Sequence, residues 1–181
     1  MTRMPGEPLG NGLQSITTEE CSLLASDLKL CFDQLHSIPA PSVGPHISGI
    51  GGGLFRCYRI LSEHIGPFAT EPDFYCYLYD KSPRGDYLEQ FGREVHTTPH
   101  KICLSRNDLI LDNILVDSNR RLSAIIDWEC AAWLPEYWDY TRSYLLRDSY
   151  HQWKCFMDEV FGLRPEDLRV EMEMWKYNNS I

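Results

Sequence analysis

Three oxygen-bearing side chains in the middle of this chain are spaced so that they could do chemistry together. Asp108 ends the polar stretch Ser105-Arg106-Asn107-Asp108, Asn113 follows five residues later, and Asp127 closes the apolar run Leu122-Ser123-Ala124-Ile125-Ile126. Two hard oxygen ligands with an incomplete shell suit Mg²⁺, which keeps waters and takes its remaining ligands from nucleotide phosphates. A further carboxylate beside that pair can orient a hydroxyl and accept its proton. Each residue alone is ordinary, since Asp and Asn are favoured in turns. The joint spacing is what points to chemistry.

Elements must bring the three together. Lys101-Ile102-Cys103-Leu104 reads as a short strand running into the loop that holds Asp108. Ile114-Leu115-Val116 and Leu122 to Ile126 read as a hairpin around the turn-rich link Asp117-Ser118-Asn119-Arg120-Arg121. Pairing about a centre near residues 119–121 sets Asn113 beside Asp127 at the open end.

The flanking chain supplies the scaffold. Residues 1–16 form an irregular lead-in. Thr17-Thr18-Glu19-Glu20 is then a capping box, and Cys21, Leu24, Leu28, Cys31 and Leu35 follow at helical spacing, which predicts a helix over 18–37. Residues 39–70 read as a long loop, in which Gly49-Ile50-Gly51-Gly52-Gly53 is a turn: Leu54 stands where a dinucleotide fingerprint needs its last Gly, and no Gly-Lys-Ser/Thr follows. Glu71-Pro72-Asp73 opens another helix, although Tyr75, Tyr77 and Tyr79 equally suit a strand, and Asp86 to Val95 is a further helix candidate. After residue 130 the pattern is helical. Leu134, Tyr137, Trp138, Thr141, Tyr144 and Leu145 share a face; Ser149 caps a helix with the stripe Trp153, Phe156, Met157, Val160 and Phe161, closed by Gly162; Pro165 opens a last helix facing inward through Leu168, Met172 and Trp175. The aromatic stripes read as core.

The 181 residues suit one domain, 43% hydrophobic, with enough aromatic content to exclude pervasive disorder. A net charge of −9 argues against binding nucleic acid, and no apolar run is long enough for a membrane helix. Seven scattered cysteines without a C-x-x-C pair or a signal peptide fit reduced, mostly buried thiols in a cytoplasmic protein.

The spacing D-x-x-x-x-N, a strand hairpin, then Asp is shared with the protein-kinase catalytic loop and its metal-binding Asp. More specifically, Leu104-Ser105-Arg106-Asn107-Asp108-Leu109 through Asn113-Ile114-Leu115-Val116-Asp117 resembles the H-G-D-L-x-x-x-N-I-L-V-D block of the aminoglycoside phosphotransferase family, close to choline kinases. Ala124-Ile125-Ile126-Asp127-Trp128-Glu129 resembles its I-I-D-W-E block, and Trp133-Leu134-Pro135-Glu136-Tyr137-Trp138 is similar to its G-x-x-P-E-Y-W segment. Met4 to Leu9 is similar to the stretch after that family's interlobe hinge.

The resemblance implies an α+β, mainly helical fold: the C-lobe of a protein-kinase-like phosphotransferase, with a small β-hairpin at the catalytic face. It implies a single domain over 1–181, with the catalytic loop and metal-binding hairpin in 99–140 and C-terminal helices in 141–181. The expected activity is ATP-dependent phosphorylation of a hydroxyl on a small-molecule substrate, with Asp108 as base and Asn113 and Asp127 holding Mg²⁺ and, through it, ATP. By the same resemblance the nucleotide-covering N-lobe is missing. That leaves room for a partner chain supplying it, or for an alternative: a truncated, pseudokinase-like remnant that is a binding module or a gene fragment.

The catalytic loop departs from the family pattern. Arg106 stands at its His, Asn107 at its Gly, Leu111 at its usual Pro, and Asp112 adds a carboxylate beside Asp108. Asn107 tolerates a left-handed backbone. Arg106 is expected to pair with one of the carboxylates.

Overall fold

The computed structural model describes residues 4–58, 63–145 and 151–178. The lead-in is less irregular than expected. It contributes a two-residue strand, β1 (Glu7–Pro8), and two 3₁₀ turns at Leu9–Asn11 and Leu13–Ser15. Helix α1 (Thr18–Ser37) starts where the capping box placed it: the Glu20 backbone N–H donates to Thr17 Oγ1 and the Thr17 N–H donates to Glu20 Oε2.

Residues 39–70 hold more than a loop. They carry β2 (Ser48–Gly49), β3 (Phe55–Cys57) and β4 (Glu63–Ile65), too short and too spaced by Gly and Pro to show a period in sequence. The glycine run is a tight turn, with Gly52 at φ 80° and its N–H donating to the Gly49 carbonyl at 2.8 Å. Helices α2 (Glu71–Asp80) and α3 (Gly85–Thr97) follow, the first with Thr70 and Asp73 forming a second capping box. Next come β5 (Ile102–Ser105), a 3₁₀ turn at Leu111–Asn113, and the hairpin β6 (Ile114–Val116) and β7 (Leu122–Ile125).

The stretch read as the start of the C-terminal helices begins instead with a strand, β8 (Ala132–Pro135). It lies between β2 and β5, pairing antiparallel with both, so Leu134 faces Cys103 across a sheet and takes no part in a helical face. Three helices follow among the described residues: α4 (Trp138–Ser143), α5 (His151–Phe161) and α6 (Pro165–Asn178). Position 149, expected to cap α5, lies outside the described residues.

Two apolar cores divide the molecule. One gathers Leu24, Leu28 and Phe32 of α1 with Trp153, Phe156 and Met157 of α5 against Leu109, Leu111 and Ile114 beneath the hairpin. The other joins α2, α3 and α6 to β8 and Trp138. Helix α6 turns Val170, Glu171 and Met174 inward, one position away from the expected Leu168, Met172 and Trp175, which are only half-buried. The reason is a polar seam. Tyr137 Oη donates to the buried Glu171 at 3.2 Å and lies 2.9 Å from Tyr75 Oη, while His100 sits between Glu71 (Nδ1 to Oε1, 2.6 Å) and Asp167 (Nε2 to Oδ1, 3.5 Å). Satisfied in this way, a carboxylate enters the core and shifts the buried face.

Candidate active site

The loop after β5 is bent by its own sequence. Asn107 is left-handed at φ 64°, and its side chain donates to the Arg56 and Cys130 carbonyls (2.8 and 3.1 Å) and accepts from Trp138 Nε1 at 2.6 Å. A Gly would supply the same backbone conformation but none of these three bonds. Asp139, 1% exposed on α4, caps the loop from below: its two oxygens accept the backbone N–H groups of Arg106 and Asn107 at 3.1 and 2.9 Å.

That frame presents Asp108. One carboxylate oxygen accepts from Arg142 Nη2 at 3.0 Å, and the other stands 4.0 Å from Arg106 Nη1. Arg142 is itself placed by α4 and lies 5.9 Å from the Trp175 ring centroid, a cation–π contact with α6. The Asp108 carbonyl accepts from Asn113 Nδ2 at 3.2 Å, leaving Oδ1 as the amide atom that could reach a cation.

The hairpin brings the second ligand. Ile114 pairs with Ile125 and the Ile126 N–H donates to the Asn113 carbonyl at 2.9 Å, so Asn113 stands opposite Ile126 and diagonal to Asp127. The register is thus one residue off the expected pairing, with an irregularity between Leu115 and Val116. Asp127 then leaves the strand in a left-handed conformation, φ 61°, and is exposed. Trp128 closes the turn by donating from Nε1 to the Ile125 carbonyl at 2.8 Å. Hence the Asn113 side chain is hydrogen-bonded to the Asp108 backbone carbonyl, and Asp127 follows the residue that faces Asn113 at the end of the ladder.

Arg106 pairs as expected. Its guanidinium is completely buried; burial pushes its pKa down, opposed by the carboxylates of Asp108, Asp139 and Asp127. Asp112 instead is exposed and turned toward the lead-in, its Oδ1 2.5 Å from where a Cβ on Gly10 would lie. Cys130, beneath the loop, is buried, and burial first, then the Asp108 and Glu129 charges, push its thiol up to about 11, which disfavours the thiolate. No disulfide forms among the described residues, and of the seven cysteines Cys57, Cys103 and Cys130 are fully buried, fewer than the scattered pattern suggested.

Two of the site's organisers, Asp139 and Arg142, escaped the sequence reading. Nothing in the local sequence Trp138-Asp139-Tyr140-Thr141-Arg142-Ser143 announces them, because their partners lie in the loop after β5. On the outer rim Arg56 donates to Glu129 at 2.6 Å, next to Tyr58.

The donor set suits Mg²⁺ that draws further ligands from phosphate: one amide oxygen and one carboxylate. Among the described residues no cluster of three or more His, Cys, Asp or Glu could hold a metal alone.

The fold is mixed α+β, about half helical, with small sheets, and comparison with known proteins shows it to be a phosphotransferase-like domain. The model of the APH phosphotransferase enzyme family matches residues 1–173, and the chain belongs to that family. Among solved structures it is similar to aminoglycoside phosphotransferase APH(4)-Ia, at 17% identity and a TM-score of 0.61, over 96% of this chain and 60% of that one. Thermostable mutants of the same enzyme, in ternary complexes with hygromycin B and either ADP or AMP-PNP, match with TM-scores of 0.60 at 17% identity and the same coverage. At such identity the likeness establishes the fold. The chain spans about 60% of the length of these structures. No helix among the described residues is long and apolar enough to cross a membrane.

Proposed function

We propose that this chain carries the catalytic half of an ATP-dependent phosphotransferase acting on a hydroxyl of a small, amine-bearing molecule. The observation that supports it most is the bonding around the catalytic-type loop: Asn113 Nδ2 donates to the Asp108 carbonyl, Arg106 Nη2 to the Asp127 carbonyl, and the Arg106 N–H to Asp139. Asp108 accepts the proton of the substrate hydroxyl as that oxygen bonds to the terminal phosphorus and the ADP oxygen leaves. Arg142 fixes the orientation of the carboxylate. Asn113 and Asp127 would hold Mg²⁺, which would offset the phosphate charge. The part that covers the nucleotide comes, in this proposal, from outside these 181 residues, in the same polypeptide or in a partner chain. The acceptor class follows the neighbours, which bind hygromycin B, and the acidic net charge of −9, which favours encounter with cations.

One observation favours a second reading, a non-catalytic binding module: both oxygens of Asp108 already face arginines. The two readings part on one experiment. With ATP and Mg²⁺ together the unfolding temperature rises, because a ligand of the folded state stabilises it, and labelled phosphate passes to an aminoglycoside acceptor. A thermal shift without transfer supports the binding module. No shift at millimolar nucleotide contradicts both.

A further inference from the structure

Burying a guanidinium is unfavourable unless its N–H groups and charge are answered, so a wholly buried arginine must be placed by something specific. Arg106 is 0% exposed. Its Nε and Nη2 donate to the Ile126 carbonyl at 3.3 and 2.8 Å, and Nη2 donates also to the Asp127 carbonyl at 2.7 Å. The third nitrogen, Nη1, makes no hydrogen bond and faces Asp108 Oδ2 at 4.0 Å. One planar group thus grips two successive carbonyls of the segment that ends in Asp127 and abuts the carboxylate of Asp108.

The grip matters because of where those carbonyls lie. At Asp127 the chain leaves the β-ladder and turns left-handed at a non-glycine residue, a conformation that Asp reaches more readily than most side chains but that the strand before it does not dictate. The ladder ends with the Ile126 N–H, so nothing in the sheet holds the Asp127 carbonyl; Arg106 does. Arginine's rigid fork suits this task. Lysine offers a point charge, and the histidine of the family pattern a single N–H in each direction.

We propose that Arg106 is a positioning residue: it sets the direction in which Asp127 leaves the hairpin and the spacing between Asp127 and Asp108. The inference rests on the assignment of Asp127 as a metal ligand and Asp108 as the base.

The test uses the full chain and two variants, Arg106→Lys, which keeps the charge without the fork, and Arg106→His, which restores the residue of the family pattern. Mn²⁺ binding in the presence of AMP-PNP is followed by electron paramagnetic resonance, and the Trp128 indole N–H by NMR without metal, since that group closes the same turn. Outer-shell partners of ligands typically carry a factor of about 10–100 in metal affinity, and that loss is expected for Arg106→Lys, with a smaller loss for Arg106→His. The Trp128 resonance moves in both. A variant that stays folded with wild-type Mn²⁺ affinity and an unmoved Trp128 signal overturns the proposal, even if its unfolding temperature has dropped. Failure of the wild type to bind Mn²⁺ with nucleotide refutes the phosphotransferase assignment instead, and the metal-free Trp128 signal still decides whether Arg106 holds the turn. Should Arg106→Lys fail to fold, Arg106→His carries both measurements.

Discussion

Replacing Asp139 by Asn removes one atom's worth of acceptor from beneath the catalytic loop. The two Asp139 oxygens take the buried N–H groups of Arg106 and Asn107 at 3.1 and 2.9 Å. Asn keeps one acceptor; its NH₂ faces the other N–H and cannot accept from it. Facing Asn107, it leaves that N–H its 3.2 Å bond to Ser105 Oγ and costs about 1 kcal/mol; facing Arg106, it leaves a buried donor unpaired, at up to about 3 kcal/mol. The surviving bond loses charge assistance, about 1 kcal/mol more given that charged bonds are roughly twice as strong as neutral ones. Arg106 also loses one of its three neighbouring carboxylates. The sum is about 2–4 kcal/mol, and for a chain of this size each kcal/mol lowers the unfolding temperature by about 2–4 °C. Asp139→Asn should therefore unfold about 4–16 °C below wild type by calorimetry, and the Arg106 and Asn107 amides should exchange with D₂O faster relative to the rest of the core. A variant within about 2 °C of wild type, far inside that range, with unchanged exchange at those amides, would falsify the view that Asp139 holds the loop.

Other outcomes follow from the same geometry. His100 is opposed by burial but raised to about 9 by Asp167 and Glu71, with Tyr75 Oη at 3.4 Å and the Tyr137 ring beside it. Its stabilisation is therefore complete below its unfolded pKa of about 6.5, declines as pH rises toward 9, and is gone above that. The stability difference between wild type and His100→Gln should shrink across that window, and a difference that is flat or growing contradicts the ion-pair reading. A thiol reagent should modify Cys76 and Cys155 first, and Cys57, Cys103 and Cys130 only on unfolding; fast native modification of Cys130 would place it outside the core described here.

What was legible in sequence was local. Thr17 and Glu20 announce α1 because a capping box needs only four neighbouring residues, and the 114–125 hairpin announces itself through two apolar runs around a turn. β8 was misread because Ala132 to Pro135 owes its strand state to β5, some 30 residues earlier, and to β2, more than 80 earlier, which no local period records. The inward face of α6 was misread for a related reason: Glu171 counts as polar in any hydrophobic pattern, and partners far away in sequence, Tyr137 and His96 among them, make its burial tolerable. In the site, the spacing of Asp108, Asn113 and Asp127 is recognisable in sequence, whereas Asp139 and Arg142 act through a loop that precedes them by about 30 residues and leave no such pattern.

The central claim is that Asp108, Asn113 and Asp127 serve one divalent cation, and Mn²⁺ tests it most directly. Titrated with AMP-PNP into isotope-labelled protein, Mn²⁺ should broaden first the Asn113 side-chain amide and the backbone signals of Asp108, Asp127 and Trp128, and Asp127→Asn should abolish the effect. Broadening centred elsewhere, for instance on the acidic cavity lined by Glu94, Glu166 and Asp167, or broadening that survives Asp127→Asn, contradicts it.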